Sequence, residues 1–174
     1  MPNTRENENP TRIDLANRVF FRLYQCTNML HKTGTKAVEA QGLTTQQWAV
    51  LGALSRPQAA EGMSVGDLAR YLMVSRQNLS GLLSRMERDG RVRSAPDGRD
   101  RRSRLVTMTA AGRAVWRKEA LPNIHGYYEQ ALAGFSVNDI AHTLHYLLKM
   151  LENMQRVDEK QGHGMDRGEP EGTK

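Results

Sequence analysis

S-R-Q-N-L-S-G-L-L-S-R-M-E-R-D-G, Ser75 to Gly90, is the stretch whose reading decides the fold. Ser75 is a good N-cap, because its hydroxyl accepts an early backbone N–H. Leu79, Leu82, Leu83 and Met86 recur at helical spacing on one face, and Gly90 is a C-terminal stop. Arg76, Gln77, Ser80 and Ser84 face the other way. One element earlier, Ser64-Val65-Gly66-Asp67 opens a short helix running through Tyr71, with Val65, Leu68, Ala69 and Leu72 inward, and Met73-Val74 joins the two helices. On the other side the pattern changes. Arg91-Val92-Arg93-Ser94-Ala95 alternates like a strand, residues 96–104 are a turn-rich basic loop, and Leu105-Val106-Thr107-Met108 is a second strand. These strands are expected to pair as a two-stranded hairpin with a charged tip.

Two short helices joined by a tight turn, the second polar and Arg-rich outside, form a helix-turn-helix, and a basic hairpin directly after it makes the unit winged. A helix of this size fits the major groove of double-stranded DNA. Arg76 or Gln77 is suited to bidentate base contacts worth about 1–3 kcal/mol of discrimination each. Asn78, Ser80, Ser84 and Arg85 complete the exposed set, and Ser75 lies at the phosphate-binding end of the helix. In the wing, Arg99, Arg101, Arg102 and Arg104 are expected on an adjacent minor groove or the DNA backbone.

Outward from this unit the chain reads as helices. Residues 1–10 form a polar arm expected to be disordered. A helix is expected from Ile13 to about Ala40, with Leu15, Val19, Leu23 and Leu30 near a 3.6-residue period, ended by Gly42. Thr44-Thr45-Gln46-Gln47 is a capping box for a helix with Trp48, Leu51 and Leu54 inside, closed by Arg56-Pro57. Residues 59–63 read as a connector. Thr109 caps a long helix to about Leu132, in which Pro122 should cause a kink. A last helix opens at Ser136-Val137-Asn138-Asp139 and carries Ile140, Leu144, Leu147, Leu151 and Met154 with coiled-coil spacing. Hydrophobicity falls from Asp158, and residues 158–174 are expected to be a disordered tail.

Composition narrows the class. The chain has 174 residues, net charge +6 and 39% hydrophobic residues. No apolar run approaches the ~18 residues of a membrane span. Together with the polar N-terminus, this leads to the expectation of a cytoplasmic protein without membrane association. One cysteine builds neither an intrachain disulfide nor a thiolate metal site. The basic excess is concentrated in residues 64–104, where ten Arg and no Lys stand against five acidic residues. An all-Arg cluster suits planar, bidentate recognition of phosphate or guanine.

Over Leu79 to Gly112 the chain resembles the MarR family of transcription regulators. Met86-Glu87-Arg88-Asp89-Gly90, Asp100-Arg101-Arg102 and Met108-Thr109-Ala110-Ala111-Gly112 follow that family's Leu-Glu-x-x-Gly, Asp-Arg-Arg and Leu-Thr-x-x-Gly pattern, with Met in place of two Leu. L-T-T-Q-Q-W-A-V-L at 43–51 resembles its second helix. The resemblance implies a mostly α fold with a small β-wing, spanning residues 11–157. A winged helix-turn-helix lobe (44–109) would accompany a helical dimerisation lobe (11–43 with 110–157). It implies a homodimer on a pseudopalindromic operator, with Asp100 orienting Arg102 into the minor groove. It also implies an effector pocket between the lobes for a phenolic or aromatic acid or its coenzyme A thioester, with binding usually lowering DNA affinity. Leu23, Tyr24, His31, Trp48, Leu51 and Trp116 are the candidate lining residues. Repression released by such a ligand is the expected activity. Arg91 and Ser94 depart from the family pattern, where an apolar residue and an Arg are usual, and Arg93 stands beside the missing Arg.

Other readings remain open at this stage. Charge alone also fits an architectural DNA-binding protein with no effector. Cys26 suggests a redox sensor, but it lies beyond the Phe21-Arg22-Leu23-Tyr24 stretch that the reactive cysteine of the peroxide-sensing branch precedes, so a buried, inert thiol is expected. His142 and His145, with Asp139 one turn earlier, have a spacing that suits a metal, although two histidines near a seam more often sit at its solvated edge. For Trp48 and Trp116 the core is the default reading, with pocket walls as the alternative. No nucleophile elbow, P-loop, dinucleotide fingerprint or zinc-protease motif is present, so an enzyme is not expected, nor a metal or cofactor.

Overall fold

Hydroxyl caps set most of the helix starts. In a computed structural model, which describes residues 10–98 and 103–165, a Ser or Thr side chain accepts the amide three residues on at Thr44, Ser64, Ser75, Thr109 and Ser136. The elements are α1 (Pro10–Val38), α2 (Thr45–Leu54), β1 (Met63–Ser64), α3 (Val65–Leu72), α4 (Arg76–Arg88), β2 (Val92–Pro96), β3 (Arg104–Met108), α5 (Ala110–Val115), α6 (Leu121–Ala131) and α7 (Val137–Met165). The expected full capping box is present at α2: the Thr44 hydroxyl accepts from the Gln47 amide, and the Gln47 side chain accepts from the Thr44 amide. Gly42 and Gly90 take left-handed conformations, with φ of 66° and 68°, where α1 and α4 are stopped.

The wing is larger than the sequence suggests. β2 and β3 pair antiparallel from Val92 opposite Met108 to Pro96 opposite Arg104. A third strand, β1, pairs with the other edge of β3, giving the order β1-β3-β2. Two residues are too short to show a period, so this segment reads as a connector in sequence. Gly62 makes the approach possible. Its φ is +99°, and a Cβ there would lie 2.8 Å from the Thr107 methyl carbon and 3.0 Å from the Val106 carbonyl oxygen.

The long helix after Thr109 also departs from a simple kink. Trp116–Ala120 is a π-turn between α5 and α6, in which the Leu121 amide bonds to the Trp116 carbonyl. Pro122 supplies no N–H to the turn before it, and the widened turn lies directly N-terminal to it. α7 continues to Met165, whereas disorder is expected from Asp158. Residues 1–9 and 166–174 lie outside the described residues.

Packing divides the chain into two compact units, one ending at Tyr128 and one starting at Glu129. The core of the first unit joins Val38 and Leu43 to Val50, Leu51 and Leu54 of α2, Leu68 of α3, Leu79, Leu82, Leu83 and Met86 of α4, and Val92, Val106 and Met108 of the sheet. Trp116, Ala120 and Ile124 close it. The α1 stripe behaves differently. Leu15, Val19 and Leu30 are each more than 40% exposed. The second unit, largely α7, exposes its seam residues Ile140, Leu144, Leu147, Leu151 and Met154.

Candidate nucleic-acid interface

α4 separates structural from exposed residues by angle. At about 100° per residue, Leu79, Leu82, Leu83 and Met86 occupy one arc, and all four are buried. The opposite arc holds Gln77, Ser80, Ser84 and Arg85, with Arg76 and Asn78 at its margins, and all six are exposed. Ser75 stands just before the helix in extended conformation and accepts the Asn78 amide at 3.2 Å. The Ser80 and Ser84 hydroxyls donate to the carbonyls of Arg76 and Ser80, at 2.8 and 3.0 Å, which leaves each hydroxyl oxygen as an outward acceptor.

The same wheel adds Gly81 and Arg88 to the outward arc. Gly81 has nothing within 4 Å of the position a Cβ would take. Reading the arc by polarity hides Gly81, because glycine carries no side-chain signal; plotting positions by angle reveals it.

Arg76 and Ser80 line one open groove with Gly66 and Arg70 of α3 and Ser103 and Arg104 at the base of the wing. Arg104 is fixed in part by its own sheet, donating to the Ser94 carbonyl at 3.1 Å. Arg93, beside the position where the family's Arg is missing, donates through Nε to the Thr107 hydroxyl at 3.2 Å. Arg91, in a place usually apolar, donates to the Gln41 carbonyl at 3.0 Å and so ties the wing base to the short turn that follows α1. Arg99, Asp100, Arg101 and Arg102 lie outside the described residues.

The six residues expected to line an effector pocket fall into two groups. Trp48, Leu51 and Trp116 are buried in the core of the first unit. Leu23 is half-buried on α1, while Tyr24 and the His31 side chain are exposed on it. Trp48 also gathers residues that the sequence reading did not single out. Its ring meets Tyr127 edge-on at 6.0 Å and Tyr128 at 5.8 Å, and the Tyr127 hydroxyl lies 3.0 Å from that of Thr33. Burial raises the Tyr128 phenol above its ordinary value, against an opposing hydrogen bond from Trp48.

Cys26 is exposed, not buried as expected. The α1 surface around it is uncovered in the single chain, so helical periodicity alone overstates its burial. His142 and His145 are exposed on α7, and among the described residues no group of three His, Cys, Asp or Glu side chains comes together to hold a metal. Among the described residues no helix is long and apolar enough to cross a membrane.

Comparison with known proteins agrees with this geometry. The sequence profile of the MarR family matches residues 41–103, from the end of α1 to the wing. The chain is 70% identical over 154 residues to the transcriptional activatory protein BadR of Rhodopseudomonas palustris, covering 88% of each protein. It is 32% identical over 110 residues to the homoprotocatechuate degradative operon repressor of Escherichia coli, covering 63% of this chain and 72% of that one. Among solved structures, the M. tuberculosis transcriptional regulator MosR in complex with DNA superposes with a TM-score of 0.64 at 25% identity, over 77% of this chain and 96% of that one. With its capped helix α4, its three-stranded wing and these relatives, the chain belongs to the MarR family of winged-helix transcriptional regulators.

Proposed function

We propose that this regulator is a homodimer that reads a pseudopalindromic operator through α4 and the wing and responds to a small aromatic acid or its coenzyme A thioester. The observation that carries the reading is the partition of α4, with four apolar side chains locked in the core and a polar arc left free beside the Arg-lined groove. In this reading Arg76, Gln77, Ser80 and Ser84 meet base edges, Ser75 sits at a phosphate, and Arg101 and Arg102 enter the minor groove. The exposed seam of α7 and, separately, the exposed apolar residues of α1 support a second copy as the partner, because large exposed apolar patches mark protein interfaces. An aromatic effector is supported by the relative that is named for a homoprotocatechuate operon.

The direction of regulation is proposed to be activation, in place of the repression expected from sequence. The 70% identical relative is named as an activatory protein, whereas the repressor is 32% identical.

The test is fluorescence anisotropy on DNA upstream of the protein's own gene against scrambled DNA, followed by a panel of aromatic acids and their coenzyme A thioesters. A reporter driven by the same DNA gives the sign. Selective binding altered by one compound, with reporter output rising in the presence of the protein, supports the proposal. Binding indifferent to sequence and compound favours an architectural protein instead.

A further inference from the structure

Arg76 is held in an unusual place. Its guanidinium lies against the first turn of α3, over Gly66. A Cβ on Gly66 would stand 3.0 Å from Arg76 Nη2, 3.4 Å from Cζ and 3.6 Å from Nε. The guanidinium therefore sits closer than a Cβ at position 66 ordinarily allows.

No ion pair among the described residues fixes the pose, although Asp67 and Asp97 line the same groove. The first turn of a helix carries partial positive charge, which repels a cation. The carboxylate of Asp67 is already engaged by the Arg70 guanidinium and the Ser64 hydroxyl. None of the ion pairs formed among the described residues includes Arg76. Among the described residues the guanidinium donates no side-chain bond and lies beside Ser80 in the groove that the wing base also lines. Gly66 itself gives up helix stability relative to alanine, and a close approach by another group compensates for such a choice.

We infer that Gly66 is a specificity-determining positioning residue: its missing side chain parks the Arg76 guanidinium ready for a bidentate contact with a guanine edge. A long side chain restrained before binding loses less freedom when it binds. An alanine at 66 makes the mobile end of Arg76 give by a few tenths of an ångström, which shifts its fork relative to a base edge while the fold is kept. The inference rests on α4 being the reading helix.

The experiment selects binding sites from a randomised duplex library with the full chain, Gly66→Ala, Arg76→Ala, Arg76→Lys and Gly66→Ala/Arg76→Ala. Affinities and melting temperatures follow. The expected result is a guanine position in the selected site whose preference falls about tenfold or more in Arg76→Ala. Gly66→Ala loses preference at that same position with a melting temperature that does not fall. The double variant is no worse than Arg76→Ala, and Arg76→Lys does not restore the preference, because an ammonium lacks the planar fork. If the full chain enriches no motif, the DNA-reading proposal fails and this inference falls with it. If Arg76→Ala loses the guanine but Gly66→Ala keeps it, the inference alone is overturned. Uniform weakening on every sequence identifies a phosphate contact and also overturns it, as does equal loss from Gly66→Ala in both Arg76 backgrounds.

Discussion

A Cβ on Gly112 would run into the backbone carbonyl oxygen of Arg91. That carbonyl accepts the Thr109 amide at 3.1 Å and the Thr109 hydroxyl at 3.2 Å, so the start of α5 is seated directly on the entry to the wing. With Arg91 bound to the Gln41 carbonyl, one residue links the turn after α1, the wing and α5. Gly112→Ala must push backbone against backbone. It is predicted to cost about 1–3 kcal/mol or more, read as a lower midpoint in urea unfolding. A variant as stable as the parent would show that this junction is loose.

Gly81 should behave in the opposite way. With open space where its Cβ would be, Gly81→Ala is predicted to raise stability by up to about 1 kcal/mol through helix propensity. Gly81→Leu should leave the circular dichroism spectrum and melting temperature of a folded protein but remove DNA binding, because bulk on the outward arc holds α4 off the groove. Retained affinity in Gly81→Leu would exclude that arc from the interface.

Asp139 gives a pH prediction. The Ser136 hydroxyl and amide donate to its carboxylate at 2.7 and 2.8 Å and hold it below its ordinary value. A carboxylate depressed in the folded state stabilises above its unfolded pKa, and this is lost as pH falls through the folded value. Amide protection factors in the first turn of α7, corrected for intrinsic exchange, should therefore fall on acidification below the ordinary carboxylate range. Asp139→Asn should flatten that acid dependence. An unchanged pH profile in the variant would reject the cap as its source.

Charge on the α7 seam should break the proposed dimer. Leu147→Asp is predicted to elute as a monomer in light-scattering chromatography with its helicity intact, and to lose the gain in DNA affinity that two half-sites confer. A dimer that persists in Leu147→Asp would move the interface elsewhere.

Much of the recognition unit is legible in the sequence because its signals are local. Ser75, the four apolar positions of α4 and Gly90 lie within sixteen residues, and caps, period and stop agree. What depends on distant partners is not legible. The α1 stripe shows which face seeks burial but not what covers it, so Cys26 and Leu15 are exposed in the single chain. β1 exists only because β3 has a free edge. Tyr127 and Tyr128 escape notice because the π-turn adds a residue before them. One extra residue rotates every following side chain by about 100°, so a pattern counted from Trp116 no longer places them.

The central claim is that α4 reads sequence. The most direct measurement is the ratio of affinities for the selected site and a scrambled duplex, by anisotropy at two salt concentrations, for the parent, Gln77→Ala and Arg102→Ala. The account predicts that Gln77→Ala loses about 1–3 kcal/mol of discrimination at one base position and keeps its salt slope. Arg102→Ala should weaken binding to all sequences and flatten the slope by about one. Equal losses on both duplexes for both variants would contradict it.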